Sequence, residues 1–230
     1  MNVFFLILLL PMLFVFGCTS KYEKMLINNI AEVRQFIYVG ENNNIKSSFI
    51  CGSREKEYVA NGMATELQDF GVVTFIIPND IEIDKINAEY VLTIDTKKYN
   101  GQLEVNPFDG SLVADIGKII DKKLNVSAKI IAGEFIEEIK LNLISDDWEI
   151  KFLDVIDIVV ENYKKEIKSF IKDDVFCGEI YIKMVGEDSG YDWYFNMISI
   201  DGNSLSLIIS KDNGNILASN FKDVNKVEKT

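Results

Sequence analysis

Histidine is absent from all 230 residues. Its absence removes the Ser-His-Asp triad, the Cys-His dyad, the HExxH zinc site and any imidazole base working near neutral pH. Carboxylates and Lys remain available for acid–base work. Arginine occurs only as Arg34 and Arg54. No block of Lys or Arg stands out, and 24 basic residues face 36 acidic ones for a net charge of -12. Neither nucleic acid nor an anionic lipid surface therefore finds an electrostatic footprint. The longest apolar run, residues 3–17, falls short of the ~20 residues a membrane-crossing helix needs.

An apolar fraction of 48% is too high for a disordered chain, so the sequence has the material for a packed core. The length suits one large domain or two small ones.

The run VFFLILLLPMLFVFG carries Pro11, which disturbs a permanent span, and ends at Gly17 before Cys18 and the polar TSKYEK. This stretch resembles a bacterial lipoprotein signal. The resemblance implies that residues 1–17 are removed and that Cys18 is diacylated, with palmitate-type chains. The protein is then held on the extracytoplasmic face of the cell membrane, since two acyl chains anchor stably. The chain departs from the family's pattern at Phe16, where Ala or Ser is usual, and in an n-region without Lys or Arg. The alternative is an uncleaved anchor in which Cys18 is a passive apolar residue. Abundant Lys, Asn and Ile suit an AT-rich genome, and the whole chain is similar to small lipoproteins of low-GC Gram-positive bacteria.

Residues 18–32 read as a tether with a short helix, and residues 33–146 as a β-rich domain. VRQFIYVG, IKSSFICGS, FGVVTFIIP, AEYVLTIDTKKYNGQLEV and EFIEEIKLNLI are β-branched, aromatic or alternating, and are broken by ENNN and NPFDG. Such spacing predicts an antiparallel β-sandwich-like domain. A boundary falls near Asp146–Asp147. The pattern then changes to steps of three and four: Phe152, Val155, Ile156, Val159, Tyr163, Ile167, Phe170 and Ile171 share one stripe, predicting one helix of about five turns. Strands return over 175–219, separated by GEDSGY, DGN and KDNG. Residues 147–222 thus form a long helix packed on an antiparallel meander sheet, the α+β solution. Residues 223–230 are a flexible tail.

The stretch YDWYFNMISIDGNSLSLIISKDNGNILASN resembles the C-terminal hairpins of PepSY-like domains, with Asp212-Asn213-Gly214-Asn215 as the turn and Ile216-Leu217-Ala218 as the return. That resemblance implies an interaction role, including regulation of peptidases. It supplies no catalytic residue.

Other constellations read as structure. Ser53-Arg54-Glu55-Lys56 and Ser169-Phe170-Ile171-Lys172 match S-x-x-K, without the companion S-D-N and K-T-G motifs. Asp109, Asp115, Asp201, Asn203, Asp212, Asn213 and Asn215 sit in turns, and no stretch fits a calcium loop. Asp146–Asp147 reads as a linker or a helix start. Cys51 and Cys177 remain once Cys18 is lipidated, and they read as separate thiols. By alternation Cys177 shares an outward face with Glu179, Tyr181 and Lys183. Tyr191, Trp193, Tyr194 and Phe195 read as sheet core with an outward Tyr or two, the alternative being a ligand platform. The expected function is a non-enzymatic binding module with no cofactor or metal. Its partners are the membrane, through lipid on Cys18, and an extracytoplasmic protein, with no nucleic acid. The competing expectation is an envelope enzyme or peptidase regulator using carboxylate or Lys groups. A third, a small-ligand or solute-binding lipoprotein, usually needs a longer chain with repeated βαβ units, which the sequence does not show.

Overall fold

A computed structural model describes residues 20–56, 62–117, 125–187 and 190–224. Ser20 caps the first helix, α1 (Lys21–Ile27): its hydroxyl accepts from the Glu23 N–H while Glu23 accepts from the Ser20 N–H, a capping box. Leu26 of this helix is fully buried. Two long strands follow, β1 (Ile30–Asn42) and β2 (Ile45–Glu55), joined at Asn43 and Asn44. Both turn residues have positive φ, 48° and 64°, as a two-residue hairpin turn requires. Then come β3 (Leu67–Ile76), β4 (Glu89–Ile94), β5 (Lys97–Gln102), β6 (Glu104–Val105), β7 (Leu112–Asp115), β8 (Val126–Ala132) and β9 (Phe135–Leu143).

These strands run in a ring. One path leads β1-β2-β3-β7-β6 and the other β1-β9-β8-β4-β5. β5 and β6 are one extended segment that changes partner at Leu103, whose N–H donates to the Ala88 carbonyl at 2.8 Å. The circuit thereby comes back to its start, and the sheet is a nearly closed barrel. Alternate residues fill it: Phe49 and Cys51 from β2, Val73 and Phe75 from β3, Leu92 from β4, Ala128 and Ile130 from β8, all fully buried. At this strand number side chains suffice to fill the interior.

The second core lies on the other side of β1. The helices α2 (Phe152–Asn162) and α3 (Lys164–Ile167) and a 3₁₀ turn (Lys168–Phe170) precede a small hairpin of β10 (Ile171–Lys172) and β11 (Val175–Phe176). A meander of β12 (Gly178–Glu187), β13 (Gly190–Ser199), β14 (Ser204–Ile209) and β15 (Ile216–Lys222) completes the chain. β12 pairs with the start of β1 in parallel, Val33 opposite Ile182. Val155, Ile156, Val159, Ile167 and Phe170 pack with Ile180, Ile182, Phe195, Met197 and Leu207, and α1 and β1 add Leu26, Ile30 and Val33 to the same cluster.

The architecture expected from sequence is corrected here. The molecule is mostly antiparallel sheet with three short helices, not a sandwich-like domain followed by one long helix on a meander. The helix breaks at Tyr163 (φ −122°, ψ 27°), after Asn162 turns its side-chain amide back onto the Ile158 carbonyl at 2.8 Å. Such local bonding competes with helix continuation. The barrel replaces the sandwich because β5–β6 bends from one half of the ring to the other, and β1 carries both halves on its two edges.

β1 forks the sheet. Along one edge it keeps β2 from Glu32 to Asn42; along the other it meets β12 over Ile30–Val33 and β9 at Tyr38 and Val39. Between the two partners Gln35 is the extra residue of a β-bulge, with Arg34 opposite Gly52 and Phe36 opposite Cys51. Gly52 permits the bend: a Cβ there would lie 1.9 Å from the Val33 carbonyl oxygen.

Candidate interaction site

Among the described residues the most exposed large apolar side chain is Phe108, at 95%. Its loop, Asn106-Pro107-Phe108-Asp109-Gly110, leads from β6 to β7 and is tied down from within. The Gly110 N–H donates to the Asn106 carbonyl at 2.9 Å, the Asn106 N–H to the Ser111 carbonyl at 2.8 Å, and the Phe108 N–H to Asn106 Oδ1 at 3.1 Å. Asp109 Oδ1 accepts from both the Ser111 hydroxyl (2.7 Å) and its N–H (2.9 Å). These two bonds, the hydroxyl's first, hold the Asp109 carboxyl below its ordinary range. Gly110 takes φ 72°, a conformation that suits glycine.

A second loop lies against it, since Lys85 Nζ donates to the Gly110 carbonyl at 3.4 Å. That loop carries Ile86, 84% exposed. Asp84 accepts from the Asn87 side-chain amide at 2.7 Å, which heads the bonds holding its carboxyl down as well. One end of the barrel therefore presents two bare apolar side chains beside the Asp84 and Asp109 carboxylates, with Lys85 tying the two loops together. This arrangement has the ingredients of a contact surface: an aromatic anchor whose loop is ordered before binding, with acidic groups at its margin.

The other charged constellation is inward. Glu32, 2% exposed, accepts from Arg34 Nε at 2.6 Å and from Lys183 Nζ at 3.0 Å. Glu179, fully buried, accepts from the Tyr181 hydroxyl and from the backbone N–H groups of Gly62 (2.5 Å) and Met63 (3.0 Å). The segment entering β3 thus covers the face where Glu179, Tyr181 and Lys183 were expected outward. Glu55, also buried, accepts from the Thr65 N–H through Oε1, and its Oε2 meets no partner among the described residues.

The residues singled out by motif do not converge. Cys18 lies outside the described residues. Ser53 to Lys56 run along and off the end of strand β2, where Arg54 is 2.5 Å from Asp115 and stacks over Phe70 at 4.8 Å. The Ser169 hydroxyl is spent on the Glu166 carbonyl, and Lys172 pairs with Asp201. Asp212 pairs with Lys211 at 2.6 Å. Cys51 is buried in the barrel, Cys177 is half-buried, and neither is in a disulfide. Trp193 and Phe195 are buried on the helix-covered face, while Tyr191 and Tyr194 are half-buried. Among the described residues no group of three or more Cys, Asp or Glu is placed to hold a metal.

Sequence reading took NPFDG as a turn and missed Phe108 within it; the signal was a large aromatic residue set among turn formers. Comparison with family models, with curated proteins and with solved structures finds no match to this chain.

Proposed function

We propose that this chain is a non-enzymatic interaction module of the cell envelope, held at the extracytoplasmic face of the membrane by lipid on Cys18, which grips a protein partner through the Phe108 loop. The observation that carries this reading is the exposure of Phe108 on a loop already fixed by its own hydrogen bonds. Leaving an aromatic ring in water forgoes about 1.5–3 kcal/mol of burial, and a preordered loop lowers the entropy lost on docking. Asp84 and Asp109 at the margin call for an apolar socket with a basic rim. The same acidic margin, with a net charge of -12, opposes contact with an anionic lipid surface.

The experiment places a photoreactive phenylalanine analogue at position 108 of the full-length chain in cells. One discrete protein adduct is expected, competed by excess soluble wild-type protein and not by the Phe108→Ser variant. The analogue at Leu217, exposed on β15, should give no such adduct. Crosslinking to lipid alone, or equal competition by Phe108→Ser, overturns the reading. The anchor is tested separately: Cys18→Ala should lose acyl labelling and leave the membrane fraction.

A further inference from the structure

The fork of the sheet leaves a gap. Between the stretch of β1 that meets β12 and the stretch that meets β9, a cleft of about 290 Å³ opens, near the lower end of small-ligand sites at roughly 300 Å³. Phe36, Trp148, Phe152 and Trp193 line it. The two indoles stand edge to face, centroids 5.2 Å apart at 88°. The Trp193 Nε1–H is committed to the Ile150 carbonyl at 2.8 Å, so that ring is fixed in place.

Two polar side chains also line the cleft with hydrogen-bonding capacity unspent among the described residues. Gln35, the bulge residue, and Ser145, just beyond β9, are both partly buried, and their side chains make no hydrogen bond there. A bulge re-aims a side chain out of the ladder, and a glutamine amide offers both donor and acceptor. Asp146 and Lys151 contribute one charge of each sign to the lining. The balance favours neither an anion nor a cation.

We propose that this cleft binds a neutral heteroaromatic small molecule, a single or fused ring with adjacent hydrogen-bond donor and acceptor. Its faces lie against the half-buried Phe36 and Phe152 rings, backed by the two buried indoles, where stacking stabilises any π-system. Its edge meets the Gln35 amide and the Ser145 hydroxyl. The inference is independent of the Phe108 surface, which lies on the β6–β7 loop of the barrel.

Both tryptophans of the chain line this one cleft, so intrinsic fluorescence reports its occupancy directly. The purified protein is titrated with adenine and nicotinamide, and with toluene as a ring without polar edges. A saturable change in emission with adenine or nicotinamide is expected, with toluene at least about threefold weaker. Gln35→Ala should weaken the response roughly threefold to tenfold, the worth of one neutral hydrogen bond, with its urea midpoint unchanged. Unsaturating, purely collisional quenching by adenine and nicotinamide alike overturns the proposal. So does a toluene response equal to theirs, or a Gln35→Ala variant that binds as the wild type does. Ser145→Ala serves as the second variant should Gln35→Ala fail to fold, and is held to the same outcomes.

Discussion

Lys183 Nζ sits 3.0 Å from Glu32 Oε2, joining β12 to β1 across the parallel pair that connects the two cores. Arg34 holds the other carboxylate oxygen at 2.6 Å. Glu32 is almost wholly buried, so its charge depends on these cations for compensation. Lys183→Met should cost about 1.5–3 kcal/mol, the range for a hydrogen bond to a charged group. Adding Arg34→Met leaves the carboxylate with neither cation, and the total should reach ~3–5 kcal/mol. Urea midpoints of the two variants decide it. A double variant no less stable than Lys183→Met would show that Arg34 contributes nothing.

Ile156 and Val159 sit in the middle of the apolar stripe and are fully buried against the meander. Ile156→Ala should lower stability by ~2–5 kcal/mol. Lys165, exposed on the opposite side, should tolerate Ala within about 0.5 kcal/mol. Lys164 is not an equivalent control, because its ammonium lies over the Tyr22 ring at 5.4 Å. Equal midpoints for Ile156→Ala and Lys165→Ala would contradict the packing described.

Asp157 should respond to pH in the opposite sense to a paired carboxylate. Partial burial first, and then the charges of Glu23, Asp154 and Glu161, push its carboxyl above the ordinary value. An acid whose folded pKa is raised binds its proton more tightly in the native state, so the folded protein gains as pH falls through that pKa. Above it the ionised group is a burden. Asp157→Asn should therefore stabilise the protein at neutral pH, by less than about 1 kcal/mol at so exposed a site, and the advantage should vanish in acid. Thermal melts at neutral and acidic pH test the sign. A variant less stable at neutral pH refutes it.

The two described cysteines should differ sharply towards an alkylating reagent. Cys51 is fully buried in the barrel and Cys177 half-buried. Mass spectrometry of the native protein should show Cys177 modified first and Cys51 only once denaturant opens the barrel. Equal rates, or a Cys51–Cys177 linked peptide in unreduced protein, would be the contrary result.

Much of this architecture is legible residue by residue. The three-four stripe from Phe152 to Phe170 names most of the buried side chains, because burial is what the spacing encodes, although Phe152 and Tyr163 are only half-buried and buried Val160 lies outside it. It does not reveal the break at Tyr163, which turns on one asparagine bonding its own turn. Alternation in Leu103 and Val105 marks a strand, but nothing local tells that strand to change partner at Leu103 and complete a barrel. Glu179 and Tyr181 alternate as outward residues do, and they are buried because a segment more than a hundred residues earlier in the chain folds over them. Gln35 gives no sign of the bulge that aims it. Local periodicity reads faces; long-range pairing decides what covers them.

Strand β1 is also a problem of timing. Its neighbour β2 follows within a two-residue turn, so the hairpin forms from adjacent chain. The opposite edge waits for partners far along the sequence: Tyr38 meets Leu143, and Val33 meets Ile182. As the chain emerges from its N-terminal end, that edge stays bare until most of the protein has been made. Unpaired edges recruit other chains, and pairings of long sequence separation form slowly. A chain interrupted before β12 would therefore be sticky rather than merely incomplete. Aggregation of shortened products should begin at the same edge that unites the finished molecule.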